Sequence, residues 1–199
     1  MSTRPAILAL AATLTAVLTL APSARAGHHL WVFSEIFSNA SGSVQFMELF
    51  CPDPNEQGVG PFSVTSNAHT FNFVTNLPSA ATANTYILIA TSGFGALPGG
   101  VTPDYTIPSN FFATGGGTLN YASGVQVWNY GAVPTDGSHS LLRNGSTAVN
   151  SPTNFAGQPG SVNLATTVPM LPRWGIVVLV GALLLAASGL LAARPRPTA

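Results

Sequence analysis

The middle of this chain predicts an all-β fold, a two-sheet sandwich, on three observations. Short runs of β-branched and aromatic residues recur at close spacing, divided by clusters of Gly, Pro, Asn, Asp and Ser. No stretch from residue 27 to residue 167 keeps a helical period over three turns. With both apolar ends set aside, about 140 residues remain, the size of one domain with its own core.

The strands follow in order. Residues 30–38 and 44–51 are joined by Asn39-Ala-Ser-Gly-Ser43, a short link with a Ser-Gly pair, and predict a hairpin. Residues 62–64, 70–74 and 85–90 are the next three. Tyr86-Ile-Leu-Ile89 is apolar on both faces, as a centrally buried strand must be. Residues 91–110 read as a long Gly- and Pro-rich loop. The β pattern resumes at 119–121 and 125–130, and Asp136-Gly137 makes a tight turn before a last strand over 138–143. From 144 onward the chain is rich in Asn, Gly, Ser and Thr and thinly apolar. The predicted domain closes at residue 150, and 151–167 read as a spacer.

The two ends read as addresses. Arg4, an apolar run over 6–20 and the small-x-small Ala24-Arg25-Ala26 have the order of a signal peptide over 1–26, with cleavage after Ala26 starting the mature chain at Gly27-His28-His29. That order implies the Sec translocon and signal peptidase as partners. The stretch 174–193 is uncharged and almost wholly apolar, and at ~1.5 Å per residue it reaches about 30 Å, the thickness of a bilayer core. Arg194 and Arg196 follow it closely, so the positive-inside rule places the C-terminus in the cytoplasm and the domain across an inner membrane.

Composition narrows the function further. The chain has no lysine. Its middle part holds all six acidic residues (Glu35, Glu48, Asp53, Glu56, Asp104 and Asp136) against one cation, Arg143, for a net charge of −5. A surface of that sign does not replace phosphate counterions, which argues against nucleic acid. Schiff-base chemistry and a phosphate-binding P-loop both need the lysine the chain lacks. Cys51 stands alone, so it has no partner for an intramolecular disulfide and reads as a small buried apolar residue.

Two family resemblances rest on particular residues. Val168, Pro169, Leu171, Trp174 and Gly175, then the apolar helix, then Arg194 and Arg196, resemble the IPTL-CTERM sorting signal of the PEP-CTERM-like class over 168–199. Met170, Pro172 and Arg173 depart from its usual Thr, Ser and Glu. The resemblance implies an exosortase-type membrane protease as partner and delivery to a bacterial, Gram-negative surface or an exopolysaccharide matrix. Glu35-Ile36 and Phe46-Met47-Glu48-Leu49, with Ser34 in the usual Asn place, resemble the opening hairpin of lamin-tail domains. That resemblance implies an immunoglobulin-like sandwich over 27–150; the later Tyr130-Gly-Ala, Asp136-Gly137 and Ser140-Leu-Leu-Arg143 fit its bacterial members.

Candidate sites are few. Pairing Asn39 with Val44 and counting back sets Glu35 opposite Glu48. Two opposed carboxylates repel unless something lies between them, and Ca²⁺ is a cation of the right kind; the simpler alternatives are a one-residue shift or a bulge that separates them, or two side chains that both reach into water. His28, His29, His69 and His139 show no zinc-ligand spacing. Asp136, Ser138 and His139 carry triad residue types but sit too close in sequence to converge as a triad, and Gly115-Gly-Gly117 has no lysine or helix after it. Trp31, Phe33, Phe37, Tyr105 and Trp128 pose a choice between a carbohydrate-binding face and core packing. The expectation is a non-enzymatic, exported, membrane-tethered module with a structural or adhesive role and no cofactor. Its alternatives are a carbohydrate- or Ca-binding module and, last, a secreted hydrolase.

Overall fold

A computed structural model describes residues 27–67 and 69–164. The signal-peptide reading with Ala24 and Ala26, the last residues of the expected spacer, the sorting motif and the apolar 174–193 stretch all lie outside the described residues. Among those described, no helix is long and apolar enough to cross a membrane.

The described chain is all-β, in two sheets. Its strands are β1 (Val32–Ser38), β2 (Gln45–Cys51), β3 (Ser63–Thr65), β4 (Thr70–Asn72), β5 (Thr85–Thr91), β6 (Tyr105–Ile107), β7 (Gly117–Tyr121), β8 (Gln126–Tyr130), β9 (His139–Leu142) and β10 (Thr147–Val149). A six-stranded sheet runs β10-β9-β1-β2-β5-β6, and a four-stranded sheet runs β4-β3-β7-β8. Alternation decides what faces inward. Met47, Leu49 and Cys51 of β2 and Ile87 and Ile89 of β5 meet Val64, Leu119, Tyr121, Trp128 and Tyr130 of the smaller sheet in one core.

β1 follows alternation only because it is bulged. Phe33 pairs with Leu49 and Glu35 with Glu48, so Ser34 is the extra residue. Phe33 and Ile36 both reach the core, three positions apart, and Glu35 turns to the opposite face. β5 lies between β2 and β6, with Ile87, Leu88 and Ile89 fully buried, as its two-sided apolar run requires.

Two strands and one cover differ from the sequence reading. The expected loop 91–110 contains β6, which runs parallel to β5. A parallel partner needs a crossover, and residues 92–104 supply it through a 3₁₀ turn at Phe94–Ala96. The expected spacer packs onto the body as far as Leu164, after β10 adds a hairpin edge at 147–149. Phe94, Val101 and Val162 sit on Phe37, Phe46, Leu88 and Ala90, building a second small core on the outer face of the larger sheet. Burying side chains of this size stabilises by roughly 1.5–3 kcal/mol each. A thinly apolar segment is held because its few large side chains land on an apolar sheet face.

Candidate functional site

The carboxylate pair forms at the centre of the outer face of the larger sheet. Asn39 closes the hairpin loop: its N–H donates to Val44 O at 3.0 Å, and its Oδ1 accepts from Val44 N at 3.1 Å. From there the register runs Ser38–Gln45, Phe37–Phe46, Ile36–Met47, Glu35–Glu48, so the two glutamates are opposed as counting predicts. They are only 2% and 3% exposed. Carboxylates so placed need partners, and the segment after β10 brings them. Ser151 donates to Glu35 through its N–H (2.9 Å) and its Oγ (2.9 Å). Thr153 N donates to Glu48 Oε2 at 2.7 Å, and Ser34, the bulged residue, lies 2.8 Å from Glu48 Oε1.

Burial pushes the Glu48 carboxyl up to about 8. The bonds from Ser34 and Thr153 pull the other way, and the Glu35 charge adds to the rise. Neutral Glu48 fits the network. Protonated, Glu48 would donate from Oε1 to Ser34 Oγ, whose own hydrogen then turns to the Glu48 main-chain oxygen at 3.1 Å, while Thr153 N still donates to Oε2. Each of the opposed carboxylates is therefore met by its own hydroxyl and amide partners, Ser151 on Glu35 and Ser34 with Thr153 on Glu48. A Ca²⁺ ion at Glu35 and Glu48 would compete with the Ser151 and Thr153 N–H groups for the carboxylate oxygens they already hold. Among the described residues, no group of three or more His, Cys, Asp or Glu side chains is placed to hold a metal ion.

Beside the pair, Val32, Phe50, Tyr86, Leu142 and Arg143 border a shallow groove of about 420 Å³. Phe50 and Tyr86 rings stand 5.2 Å apart there. These are not the aromatics the sequence offered for a binding face. Trp31, Phe33, Phe37 and Trp128 are buried, and Tyr105 packs edge-on against Phe73 at 4.9 Å. Core packing takes them.

The remaining candidates separate. Asp136 Oδ2 lies 2.6 Å from His139 Nδ1, and Ser138 Oγ lies 3.0 Å from the same nitrogen. A triad needs acid and nucleophile on opposite ring nitrogens, so this is a turn cap. Backbone donation from Ser138 and His139 holds the exposed Asp136 carboxyl well below the usual range. Cys51 is buried, its thiol donates to Asp53 O at 3.2 Å, and burial pushes its pKa up, which makes it a poor nucleophile. His69 stacks on Phe111, away from His28 and His29.

Sequence reasoning missed two acidic clips. Asp104 accepts from Leu88 N at 2.8 Å and from Phe155 N at 2.9 Å, tying the crossover and the last segment to β5. Glu56, buried, accepts from Leu30 N at 3.2 Å, while Trp31 Nε1 donates to Glu56 O at 2.7 Å. Residue type alone gives no sign of either; the one signal was a shortage of cations that leaves carboxylates to backbone donors.

No protein-family model, no curated protein and no solved structure matches this chain. What the fold defines is the class: an all-β module of two packed sheets.

Proposed function

We propose that this chain is an exported bacterial module, tethered to the inner membrane or sorted to the cell surface, with a structural or adhesive and non-enzymatic role. One observation carries the reading: the order of Pro169, Leu171, Trp174 and Gly175, an apolar 174–193 stretch, then Arg194 and Arg196, in a chain whose first residues have signal-peptide order. The finer fold assignment, an immunoglobulin-like sandwich of lamin-tail type, rests on the hairpin residues Glu35-Ile36 and Phe46-Met47-Glu48-Leu49. An exosortase-like protease is the proposed processing partner, and exopolysaccharide the proposed surrounding.

The sandwich supports a passive role in one respect. Its buried carboxylates are engaged in holding the segments that cover the sheet, as described for Glu35, Glu48 and Asp104. The test is fractionation of the native host with intact-mass measurement of the chain. Recovery in the envelope, trimmed after Ala26, is the expected result; full-length chain in the soluble cytoplasm would refute it.

A further inference from the structure

We propose that the mature amino terminus, Gly27-His28-His29, is a Cu(II) site made of the α-amine, two deprotonated peptide nitrogens and the His29 imidazole. The proposal rests on the export reading for one point, cleavage after Ala26. An amine followed by two peptide nitrogens and an imidazole at the third residue closes three fused chelate rings in one plane. That is the square-planar nitrogen set Cu(II) prefers. Neither His28 nor His29 is proline, so both peptide nitrogens carry a removable proton.

The fold prepares these peptide groups in a specific way. Gly58 N donates to Gly27 O at 2.8 Å, and Tyr121 Oη donates to His28 O at 2.7 Å. Those two oxygens belong to the two peptides that must lose a proton. Much of an amidate's charge sits on its oxygen, so the donors are aimed at the charge that copper creates. On the other side, the His28 and His29 N–H groups donate to no acceptor in the hydrogen bonds found among the described residues, so neither gives up a partner. The His29 side chain is 61% exposed, and turning it to the metal gives up only a long contact, 4.0 Å from Nε2 to Glu56 Oε1.

Gly27 fits the role for two reasons. Its backbone lies so close to the buried Glu56 that a Cβ would fall 2.2 Å from Oε1, so a larger residue would have to push that carboxylate off Leu30 N. Once the preceding bond is cut, its amine can swing about its own Cα–C bond without moving a carbonyl. Gly27 N donates to Asn55 O at 2.7 Å, and a coordinated NH₂ keeps two hydrogens, one still available for that bond. Charges balance: the ammonium and the two amides release three protons, and Cu²⁺ with two amidates is neutral. Binding therefore strengthens steeply as pH rises.

The test uses the full chain, expressed with residues 1–26 through the export route of a Gram-negative host and purified in detergent. Intact mass reports the first residue. Cu(II) is titrated with Zn(II) as control, read by visible absorption and circular dichroism. The expected result is one copper per chain beginning at Gly27, with the blue-shifted band of a four-nitrogen square plane and no matching uptake of Zn(II), which does not displace amide protons. Copper affinity falls at least a hundredfold in His29→Ala, whose urea midpoint stays in place because the ring is exposed. Tyr121→Phe weakens it by about tenfold, the effect of one hydrogen bond to a charged group. Chains still carrying residues 1–26 show no such band. A chain that begins at Gly27 yet binds no copper, or binds it as well after His29→Ala, overturns the site and leaves the export reading standing. A chain trimmed to begin at another residue overturns the site and leaves export standing, and an untrimmed chain in the soluble cytoplasm overturns both.

Discussion

Replacing Glu48 with Gln tests whether the proton that burial holds on Glu48 is a structural part of the sheet. Burial raises Glu48 from 4.5 to about 8, so the folded state holds this proton more tightly than the unfolded state does. The sign follows: the stabilisation is complete below the unfolded pKa near 4.5 and is lost as pH climbs through about 8, above which it is flat. At ~1.4 kcal/mol per pKa unit the whole decline is on the order of 5 kcal/mol. Glutamine copies the neutral acid: its amide donates to Ser34 Oγ, and its oxygen accepts from Thr153 N. Urea unfolding at pH 5, 7 and 9 should show the wild-type midpoint falling across the series and the Glu48→Gln midpoint falling much less. The variant should then be the more stable protein at pH 9, by roughly 2–4 kcal/mol. Parallel profiles for the two proteins would refute the assignment, and so would a wild-type midpoint that rises with pH.

Two further substitutions probe the last segment. Asn150, buried, donates through Nδ2 to Ser138 O and Val162 O, both at 2.7 Å, and accepts from Val162 N at 2.8 Å. Asn150→Ala orphans these groups and should cost about 3 kcal/mol in urea unfolding. If the segment were a loose spacer, the midpoint would not move. Gly99 has φ +77, and a Cβ there would fall 1.9 Å from Ser161 O. Gly99→Ala should destabilise by about 2 kcal/mol or more and speed cleavage within 150–164 by thermolysin, whereas unchanged cleavage would remove Gly99 from the account.

The sequence showed the first hairpin almost completely, because alternation, a Ser-Gly link and an apolar face constrain one another. The Glu35–Glu48 register follows from Asn39 facing Val44 by counting alone. The bulge at Ser34 was not legible: a serine there reads as a strand residue, and only the need of both Phe33 and Ile36 for the core reveals it. β6 and β10 were missed because Tyr105–Ile107 and Thr147–Val149 are too short to show a period. The cover over 150–164 was missed for another reason. Its hold comes from Val162 meeting Phe94 and from Ser151, Thr153 and Phe155 N–H groups meeting carboxylates far away in sequence. Composition averages such a segment to "polar", while the structure uses it one residue at a time.

Those long-range clips share one chemistry. Glu35, Glu48, Glu56 and Asp104 each accept a backbone N–H, from Ser151, Thr153, Leu30 and Phe155 among others. In a middle domain with Arg143 as its only Lys or Arg, amide dipoles do the work that lysine and arginine do elsewhere. The two kinds of partner respond differently to solution conditions. An exposed ion pair is screened over ~8 Å at physiological salt, but a buried carboxylate touching an N–H is not, since the contact is shorter than the screening length and dry. Stability should therefore follow pH and ignore salt: raising NaCl from 0.02 to about 1 M at pH 6 should leave the urea midpoint within roughly 0.5 kcal/mol, while the pH series spans several. Salt-induced loss of several kcal/mol would mean that these carboxylates are held by long-range charge, and the clip account of how the sheet keeps its cover would fall.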